Sequence, residues 1–181
     1  DFRYLTDALT PEEALAILKK AETGKAERMA RLETEGYPCY TTSAGWLGYD
    51  DEKLRRLCQE AVDEGFTHIK MKVGRDLEDD KRRLRIAREV IGDERTMMID
   101  ANQIWEVGQA IDWVSELKPY KPFFIEEPTS PDDVAGHRAI REAVHPVKVA
   151  TGEMCQNRII FKQMIAGGAI DIVQIDSCRM G

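Results

Sequence analysis

The 181-residue chain carries 26 lysine and arginine residues against 33 aspartate and glutamate residues, which gives a formal net charge of −7 at pH 7. This acidic balance lacks the basic footprint needed for a nucleic-acid backbone or an anionic membrane surface, so neither partner is expected. The length exceeds that of a typical domain but falls short of the roughly 250 residues of a complete eight-fold βα barrel.

The cysteine pattern and the apolar runs bear on the compartment. Four cysteines, Cys39, Cys58, Cys155 and Cys178, show no C-x-x-C pair and no zinc-ligand spacing, which predicts reduced thiols. No run approaches the 18 apolar residues of a membrane span, and no charged-then-apolar signal pattern begins the chain. These features predict a cytoplasmic protein, or a mitochondrial one if the source is eukaryotic.

The first part of the chain reads differently from the rest. A charged helical pattern runs from Pro11 to about Arg31, and Thr10 is placed to cap its first turn. We therefore interpret residues 1–36 as a lead-in helix segment and residues 37–181 as a separate domain.

From Tyr37 onward, short β-rich runs alternate with segments of helical period. The predicted strands are residues 37–43, 67–73, 96–100, 123–126, 147–151 and 171–175. The predicted helices are residues 51–64, 77–91, 107–117, 131–144 and 157–166. Six such βα units predict an α/β fold with a mainly parallel sheet, either doubly wound or closed as a barrel.

The positions of the polar residues favour the barrel. Nearly every predicted strand ends in an ionisable residue, and barrel enzymes collect their active-site residues from several strand ends. An open sheet instead binds its ligands at one switch point. We expect a partial (β/α) TIM-type barrel.

Two lysines occupy the second predicted strand. Lys70 and Lys72 lie two residues apart, so both side chains point to one face while Met71 points to the other. Inside a barrel the two ammonium groups repel each other, which lowers the proton affinity of one of them and makes it a usable base. A solvated edge strand with two exposed lysines is the alternative.

Carboxylates end the strands that follow. Counted from Lys72, the intervals between successive strand-end residues are 28, 26, 27 and 23, each about one βα unit. The carboxylates at these positions are Asp100, Glu126, Glu153 and Asp176. Three carboxylates meeting in an apolar barrel mouth require a cation, and oxygen ligands favour Mg²⁺. Each acid alone could instead cap the helix that follows it.

This ordered set resembles the enolase superfamily, in its mandelate racemase-like subgroup. The motifs that carry the resemblance are Lys70-x-Lys72, Asp100-x-Asn102, Glu126-Glu127-Pro128, Gly152-Glu153 and Gln174-Ile175-Asp176. Within the subgroup, residues 40–49, 126–133, 151–158 and 174–179 look like the L-fuconate dehydratase family.

The resemblance implies specific roles. Asp100, Glu126 and Glu153 would bind Mg²⁺. Lys72 would abstract the proton α to the substrate carboxylate, and Lys70 would stabilise the enediolate oxygens.

Further assignments concern the rim of the site. The resemblance implies that Asn102 binds the substrate or a metal-bound oxygen, and that Asp176 orients a histidine of the next strand. Trp46 and Arg179 would contact the sugar, although packing for the tryptophan and a rim salt bridge for the arginine are equally open.

The implied activity is a Mg²⁺-dependent hydro-lyase that converts an acid sugar, L-fuconate, into 2-keto-3-deoxy-L-fuconate. Another dehydratase, or a racemase or epimerase of the same subgroup, is the nearest alternative. The expected histidine lies beyond the chain, and neither His68, His137 nor His145 is placed to replace it.

We therefore expect this chain to be the middle of a protein about twice as long, which lacks the capping domain and the last strands. The full-length protein would be a homo-oligomer, and the isolated chain would be inactive. A non-catalytic chain that retains only metal or partner binding is the remaining alternative.

Overall fold

The computed structural model describes residues 9–180, which divide into two compact units with a boundary between Pro38 and Cys39. Residues 1–8 and Gly181, which the predicted segments include, lie outside the described residues.

Over its described residues, 9–38, the first unit contains two helices, α1 (Pro11–Lys20) and α2 (Lys25–Glu35). Thr10 caps α1 as predicted, because its hydroxyl accepts the Glu13 amide and the Glu13 carboxylate accepts the Thr10 amide. The prediction of one continuous helix to Arg31 is wrong. The chain turns at residues 21–24, where Gly24 takes a left-handed φ of 71° and the Arg28 guanidinium binds two carbonyls of the turn.

The second unit is built on a parallel sheet whose strands lie side by side in chain order. They are β1 (His68–Lys72), β2 (Thr96–Asp100), β3 (Pro122–Glu126), β4 (Lys148–Thr151) and β5 (Ile172–Val173). A doubly wound sheet reverses its strand order at a switch point, and the described strands show no reversal. The sheet is therefore an arc of the barrel type, as predicted.

The first predicted strand is wrong over most of its length. Residues 37–43 contribute only a single bridge, in which Thr41 pairs with Ile69. Pro38 has no amide to donate, and the Gly45 amide closes a turn onto the Thr42 carbonyl at 3.0 Å. The segment still follows β1, because the Lys72 amide donates to the Gly45 carbonyl at 2.8 Å.

One helix lies between each pair of neighbouring described strands, a further helix precedes β1, and another follows β5. The helices are α3 (Asp51–Asp63), α4 (Leu77–Ile91), α5 (Val107–Leu117), α6 (Val134–Val144), α7 (Arg158–Ala166) and α8 (Ser177–Met180), with a 3-10 turn at Lys118–Tyr120. The predicted bounds of α4 and α5 are confirmed. Helix α6 begins three residues later than predicted, because the Asp133 carboxylate caps it by accepting the Gly136 amide at 2.7 Å. Within residues 9–180, no helix is long and apolar enough to cross a membrane.

The two faces of the sheet have different surroundings. The outer face packs its apolar side chains against the helices, and its fully buried members include Ile69, Met71, Ile99, Ile125 and Val149. The inner face carries a separate small cluster of Met98, Phe124 and Ala150. Since each buried outer side chain contributes about 1.5–3 kcal/mol, strand alternation is fixed and β1 directs both of its lysines inward.

Candidate functional site

The lysines of β1 contact the carboxylates that end β2 and β3. The Lys72 amine lies 2.5 Å from Asp100 Oδ2, and the Lys70 amine lies 3.3 Å from the same oxygen and 2.5 Å from Glu126 Oε2. The register explains the contacts, because Lys72 pairs with Asp100 and Asp100 with Glu126 across adjacent strands. We call these four residues the lysine–carboxylate cluster.

The cluster is buried, and this sets its electrostatics. The Asp100 and Glu126 side chains are 1% and 0% exposed, and that of Lys70 is 5% exposed. Burial favours a neutral Lys70, but the hydrogen bond and charge of Glu126, together with Asp100, raise the pKa of Lys70 above its ordinary value. Burial and the Asp100 charge likewise raise the pKa of Glu126, against the opposing effect of Lys70. At Lys70 the two neighbouring carboxylates therefore outweigh both burial and the repulsion expected between the two ammonium groups.

The oxygen donors of the cluster fit a hard divalent cation. The two carboxylates approach one shared ammonium group, and the second oxygen of Glu126 is buried without a hydrogen-bond partner among the described residues. Such an orphaned anionic oxygen is costly unless a cation or donor satisfies it.

Glu153, the third predicted metal ligand, is half-buried in the turn after β4. Among residues 9–180, no three acidic, histidine or cysteine side chains are already placed to hold one ion. The expected convergence of all three acids is therefore not seen, and the lysine amines neutralise Asp100 and Glu126 instead. The role of Glu153 as a ligand stays a prediction.

The strands β2 and β3 end in a strained turn beside the cluster. Asn102, Gln103 and Glu127 all take left-handed φ values, of 46°, 66° and 44°. Asn102 is held by its amide on Asp100 Oδ1 at 3.0 Å, and the Gln103 side chain donates to Glu127 at 2.7 Å. Left-handed backbone costs about 1–2 kcal/mol at residues other than glycine, so these contacts fix an expensive conformation at the mouth of the sheet.

Glu127 follows Glu126 directly but contacts the turn after β2 and not the lysines. Its side chain accepts hydrogen bonds from Asn102 and Gln103 and none from the lysines. Burial raises its pKa, since Gln103 offsets only part of the desolvation and the Glu153 charge adds to it. This carboxylate therefore supports the Asn102 turn.

Two aromatic side chains lie against the lysines. The Lys72 amine is 5.6 Å from the centre of the Trp46 ring, which is half exposed. The Lys70 amine lies 4.9 Å from the Tyr40 ring centre and donates to the Tyr40 hydroxyl at 3.3 Å. Aromatic faces attract ammonium groups, so both rings favour the inward position of the amines.

Tyr40 was not singled out from the sequence. Its signal was available in principle, because Thr41 pairs with Ile69 and strand alternation then puts Tyr40 on the side of Lys70. The register of that pairing cannot be derived from composition.

A cleft of about 450 Å³ opens beside the cluster. It is lined by Tyr40, Glu153, Gln174, Ile175, Asp176 and Ser177. Gly152 permits this arrangement, because a Cβ at that position would collide with the Gln174 carbonyl of the next strand. The cleft connects the ends of β4 and β5 to Tyr40 and hence to Lys70.

The two sequence-predicted residues after β5 have local contacts. Asp176 caps α8, accepting the Cys178 amide at 2.8 Å and the Arg179 amide at 3.3 Å. The exposed Arg179 side chain donates to the sulfur of Met154 at 3.5 Å. Neither contact tests the roles predicted for these residues.

The three histidines lie outside the cluster. His68 and His145 are exposed. His137 is fully buried in α6, where Nδ1 bonds the Asp133 carbonyl at 2.8 Å and Nε2 has no partner among the described residues. Burial lowers the pKa of His137. None of the three is placed to act on a group held at the cluster.

Residues 53–181 match the family model described as enolase C-terminal domain-like. The chain belongs to the enolase superfamily. Over 186 residues it is 57% identical to L-galactonate dehydratase of Hypocrea jecorina, a match that spans 100% of this chain and 41% of that protein. Over 183 residues it is 54% identical to human mitochondrial enolase superfamily member 1, again over 100% of this chain and 41% of the relative.

Solved structures support the same assignment. The crystal structure of the human protein superposes with a TM-score of 0.88 at 53% identity, covering 99% of this chain and 41% of that one. L-talarate/galactarate dehydratase from Salmonella typhimurium LT2, liganded with Mg and L-lyxarohydroxamate, superposes with a TM-score of 0.74 at 36% identity, covering 79% and 37%. The chain thus spans about two fifths of the length of these relatives.

In this enolase superfamily chain, the fold brings together a subset of the predicted site residues. Those in mutual contact are Lys70, Lys72, Asp100 and Glu126, with Trp46 and Asn102 adjoining them. Those along the cleft are Glu153 and Asp176, while Arg179 lies against Met154.

Proposed function

We propose that this chain supplies the base, the oxyanion-stabilising charge and metal carboxylates of an acid-sugar dehydratase. The observation that carries the proposal is the lysine–carboxylate cluster, in which two inward amines meet two buried acids at the ends of three adjacent strands. The likeness to L-galactonate dehydratase and to a Mg-liganded L-talarate/galactarate dehydratase supports this reading.

Asp100, Glu126 and Glu153 are the proposed holders of Mg²⁺. When bound, the ion supplies Lewis-acid stabilisation to the carboxylate of the substrate. The orphaned Glu126 oxygen and the all-oxygen donor set support the assignment, and the position of Glu153 along the cleft brings a third carboxylate to the same edge.

Lys72 is the proposed base. In its unprotonated form it accepts the proton from the carbon next to the substrate carboxylate, a weakly acidic position that requires a positioned base and charge stabilisation together. Lys70 keeps its proton, because Glu126 and Asp100 raise its pKa, and its ammonium group faces the developing enediolate oxygens. The two lysines of one strand therefore have opposite roles.

Loss of the 3-hydroxyl as water completes the reaction and gives an enol that becomes a 2-keto-3-deoxy acid. We propose that the acid for this step is a histidine of a following strand, oriented by Asp176. Trp46, Asn102 and Arg179 are proposed to contact the sugar. The isolated 181-residue chain, which contains no histidine near the cluster, is expected to be inactive.

The proposed substrate is an aldonate of L-galacto configuration. L-Fuconate, which the sequence motifs favour, is 6-deoxy-L-galactonate. It therefore shares every stereocentre of the substrate in the name of the 57% identical relative and differs only at C6. A homo-oligomeric, cytoplasmic or mitochondrial enzyme is part of the same proposal.

The test is an assay of the full-length protein with Mg²⁺ on L-fuconate and L-galactonate in deuterated water. We expect a 2-keto-3-deoxy product, and a loss of about 10²–10⁴ in kcat for Lys72→Met. Lys148→Met is the matched control, because Lys148 is an exposed lysine at the opposite end of the sheet.

The outcomes separate the alternatives. Deuterium at C2 without loss of water would favour a racemase or epimerase, and dehydration by the 181-residue chain alone would contradict the histidine assignment. Unchanged kcat in Lys72→Met, or no reaction with any acid sugar, would overturn the proposal.

A further inference from the structure

A fully buried arginine lies behind the lysine–carboxylate cluster. Arg83 is in α4, outside the sheet, and its side chain is 0% exposed. Its guanidinium donates to the carbonyl of Lys72 at 2.7 Å, to that of Gly45 at 2.8 Å and to that of Trp46 at 3.1 Å. The Arg83 side chain thus links the end of β1 to the loop at Gly45 and Trp46.

Asp80, also fully buried, completes this arrangement. Its Oδ1 lies 3.4 Å from Arg83, while its Oδ2 accepts the Gly74 amide at 2.7 Å and the Trp113 indole N–H at 3.0 Å. Arg83 and Asp80 therefore hold the backbone on both sides of Val73, at the Lys72 carbonyl and at the Gly74 amide.

Stability alone does not account for burying this pair. Burying an ion pair carries a desolvation penalty that well-packed apolar residues of similar volume often match or improve on. Arg83 Nε is in addition buried without a partner among the described residues. Its three carbonyl contacts, in contrast, are specific to the geometry around Lys72.

The loop that Arg83 holds lies directly against the lysine backbone. The Lys72 amide donates to Gly45 at 2.8 Å, and a Cβ on Gly45 would collide with the Lys70 carbonyl. The Trp46 ring then lies 5.6 Å from the Lys72 amine. Moving the loop would change the backbone position of Lys72 and the aromatic contact of its amine together.

We propose that Arg83, held by Asp80, is a positioning residue that fixes the Lys72 amine and the Trp46 ring relative to each other. The inference rests on the proposed function for its kinetic consequence, since Lys72 is the proposed base. Its structural consequence, an ordered 45–46 loop on β1, is independent of that function.

The same helix offers a matched control. Arg88 lies five residues later in α4 and likewise donates to backbone carbonyls, in its case four, those of Gly92, Arg95, Tyr120 and Lys121. These carbonyls lie at the amino-terminal end of the strands, away from the cluster. Arg88→Met therefore removes a comparable set of bonds without touching the site.

The experiment compares Arg83→Met, Arg83→Lys and Arg88→Met in the full-length protein. We measure kcat and KM for the acid sugar that the wild type dehydrates, and hydrogen–deuterium exchange of the peptides that cover residues 43–49 and 70–74. For Arg83→Met we expect kcat to fall at least tenfold with KM changed less than threefold, and exchange in both peptides to accelerate. Arg83→Lys should recover part of kcat, and Arg88→Met should keep kcat within twofold.

Exchange also decides the inference if the wild type dehydrates no acid sugar, a result that would overturn the proposed function alone. Unaccelerated exchange in Arg83→Met, or an equal loss of kcat in Arg88→Met, would overturn the positioning role. If Arg83→Met does not fold, Asp80→Asn replaces it, since the amide keeps an acceptor for Gly74 while removing the charge. The same faster exchange is then expected, and its absence would overturn the role.

Discussion

Replacing Lys70 with methionine tests how the two buried carboxylates are held in the folded protein. The Lys70 amine lies 2.5 Å from Glu126 and 3.3 Å from both Asp100 and the Tyr40 hydroxyl. Methionine fills a similar volume but removes the charge. Glu126, whose side chain is 0% exposed, is then buried without its cation.

The expected loss of stability can be estimated in two ways. Removing one partner of a buried ion pair destabilises by about 3–5 kcal/mol. Glu126 can instead take up a proton, which at pH 7 costs about 1.36 × (7 − 4.3), or about 3.7 kcal/mol, from the usual glutamate pKa. Because the pKa of Glu126 is already raised in the wild type, we expect Lys70→Met to lower the free energy of unfolding by at most about 3–4 kcal/mol at pH 7.

The pH dependence of this loss has a definite sign. In the variant the folded protein keeps the Glu126 proton to a higher pH than the unfolded chain does, so the penalty grows as pH rises above about 4.3. The deficit should shrink to at most about 1.6 kcal/mol at pH 5.5, which is about 1.36 × (5.5 − 4.3). Urea unfolding of wild type and variant in EDTA at the two pH values measures it.

The control is Lys121→Met, which breaks the pair with Asp93 in which both side chains are 68% exposed. Exposed pairs contribute about 0–1 kcal/mol, so this variant should unfold almost as the wild type does. Mg²⁺ at 100 times its dissociation constant should stabilise by about 2.7 kcal/mol, and Lys70→Met should bind it more tightly because no ammonium competes. A deficit no larger than that of the control, or one that persists at pH 5.5, would refute the reasoning.

Three further predictions follow from packing and burial. His137→Asn should lessen the loss of unfolding free energy between pH 7.5 and 5.5, because burial lowers the pKa of His137 and stability present above about pH 6.5 is lost on acidification; an unchanged difference would contradict this. Ellman's reagent at pH 8 should modify the exposed Cys178 rapidly and Cys58 only on unfolding, since burial raises the Cys58 pKa to about 11; equal rates would count against the fold. Gly45→Ala should destabilise by about 1–3 kcal/mol through collision with a β1 carbonyl, whereas Gly108→Ala, in open space on α5, should stabilise by about 0.5–1 kcal/mol; urea midpoints compare them.

Most elements could be predicted because their apolar periods are strong. Helices α4 and α5 begin and end where the pattern places them, since each has one apolar face against the sheet and a clear stop. The prediction of a strand at residues 37–43 was wrong because β-rich composition does not show whether a neighbouring strand accepts the hydrogen bonds of the segment. The break between α1 and α2 was not predicted, because the helical period continues across Gly24 and only the turn seen in the structure interrupts it.

The lysines and the first two carboxylates could be predicted from alternation and spacing alone. Their pairing could not, because it depends on the register that sets Lys72 beside Asp100 and on the reach of Lys70 to Glu126. Tyr40 shares this limit, since a single bridge at Thr41 decides its side. Which side chains touch across neighbouring strands can be known only from the structure, whereas the face to which a side chain points within one strand follows from the sequence.

Register is therefore the link between the apolar layer and the chemistry of the inner face. A one-residue slip of β1 would move Ile69 and Met71 to the polar mouth and lose about 1.5–3 kcal/mol for each. The same slip would bury the ammonium groups of Lys70 and Lys72 among the helices, far from any carboxylate partner, at a cost of several kcal/mol each. Both effects oppose the slip, so the side chains that hold the helices also keep the amines against Asp100.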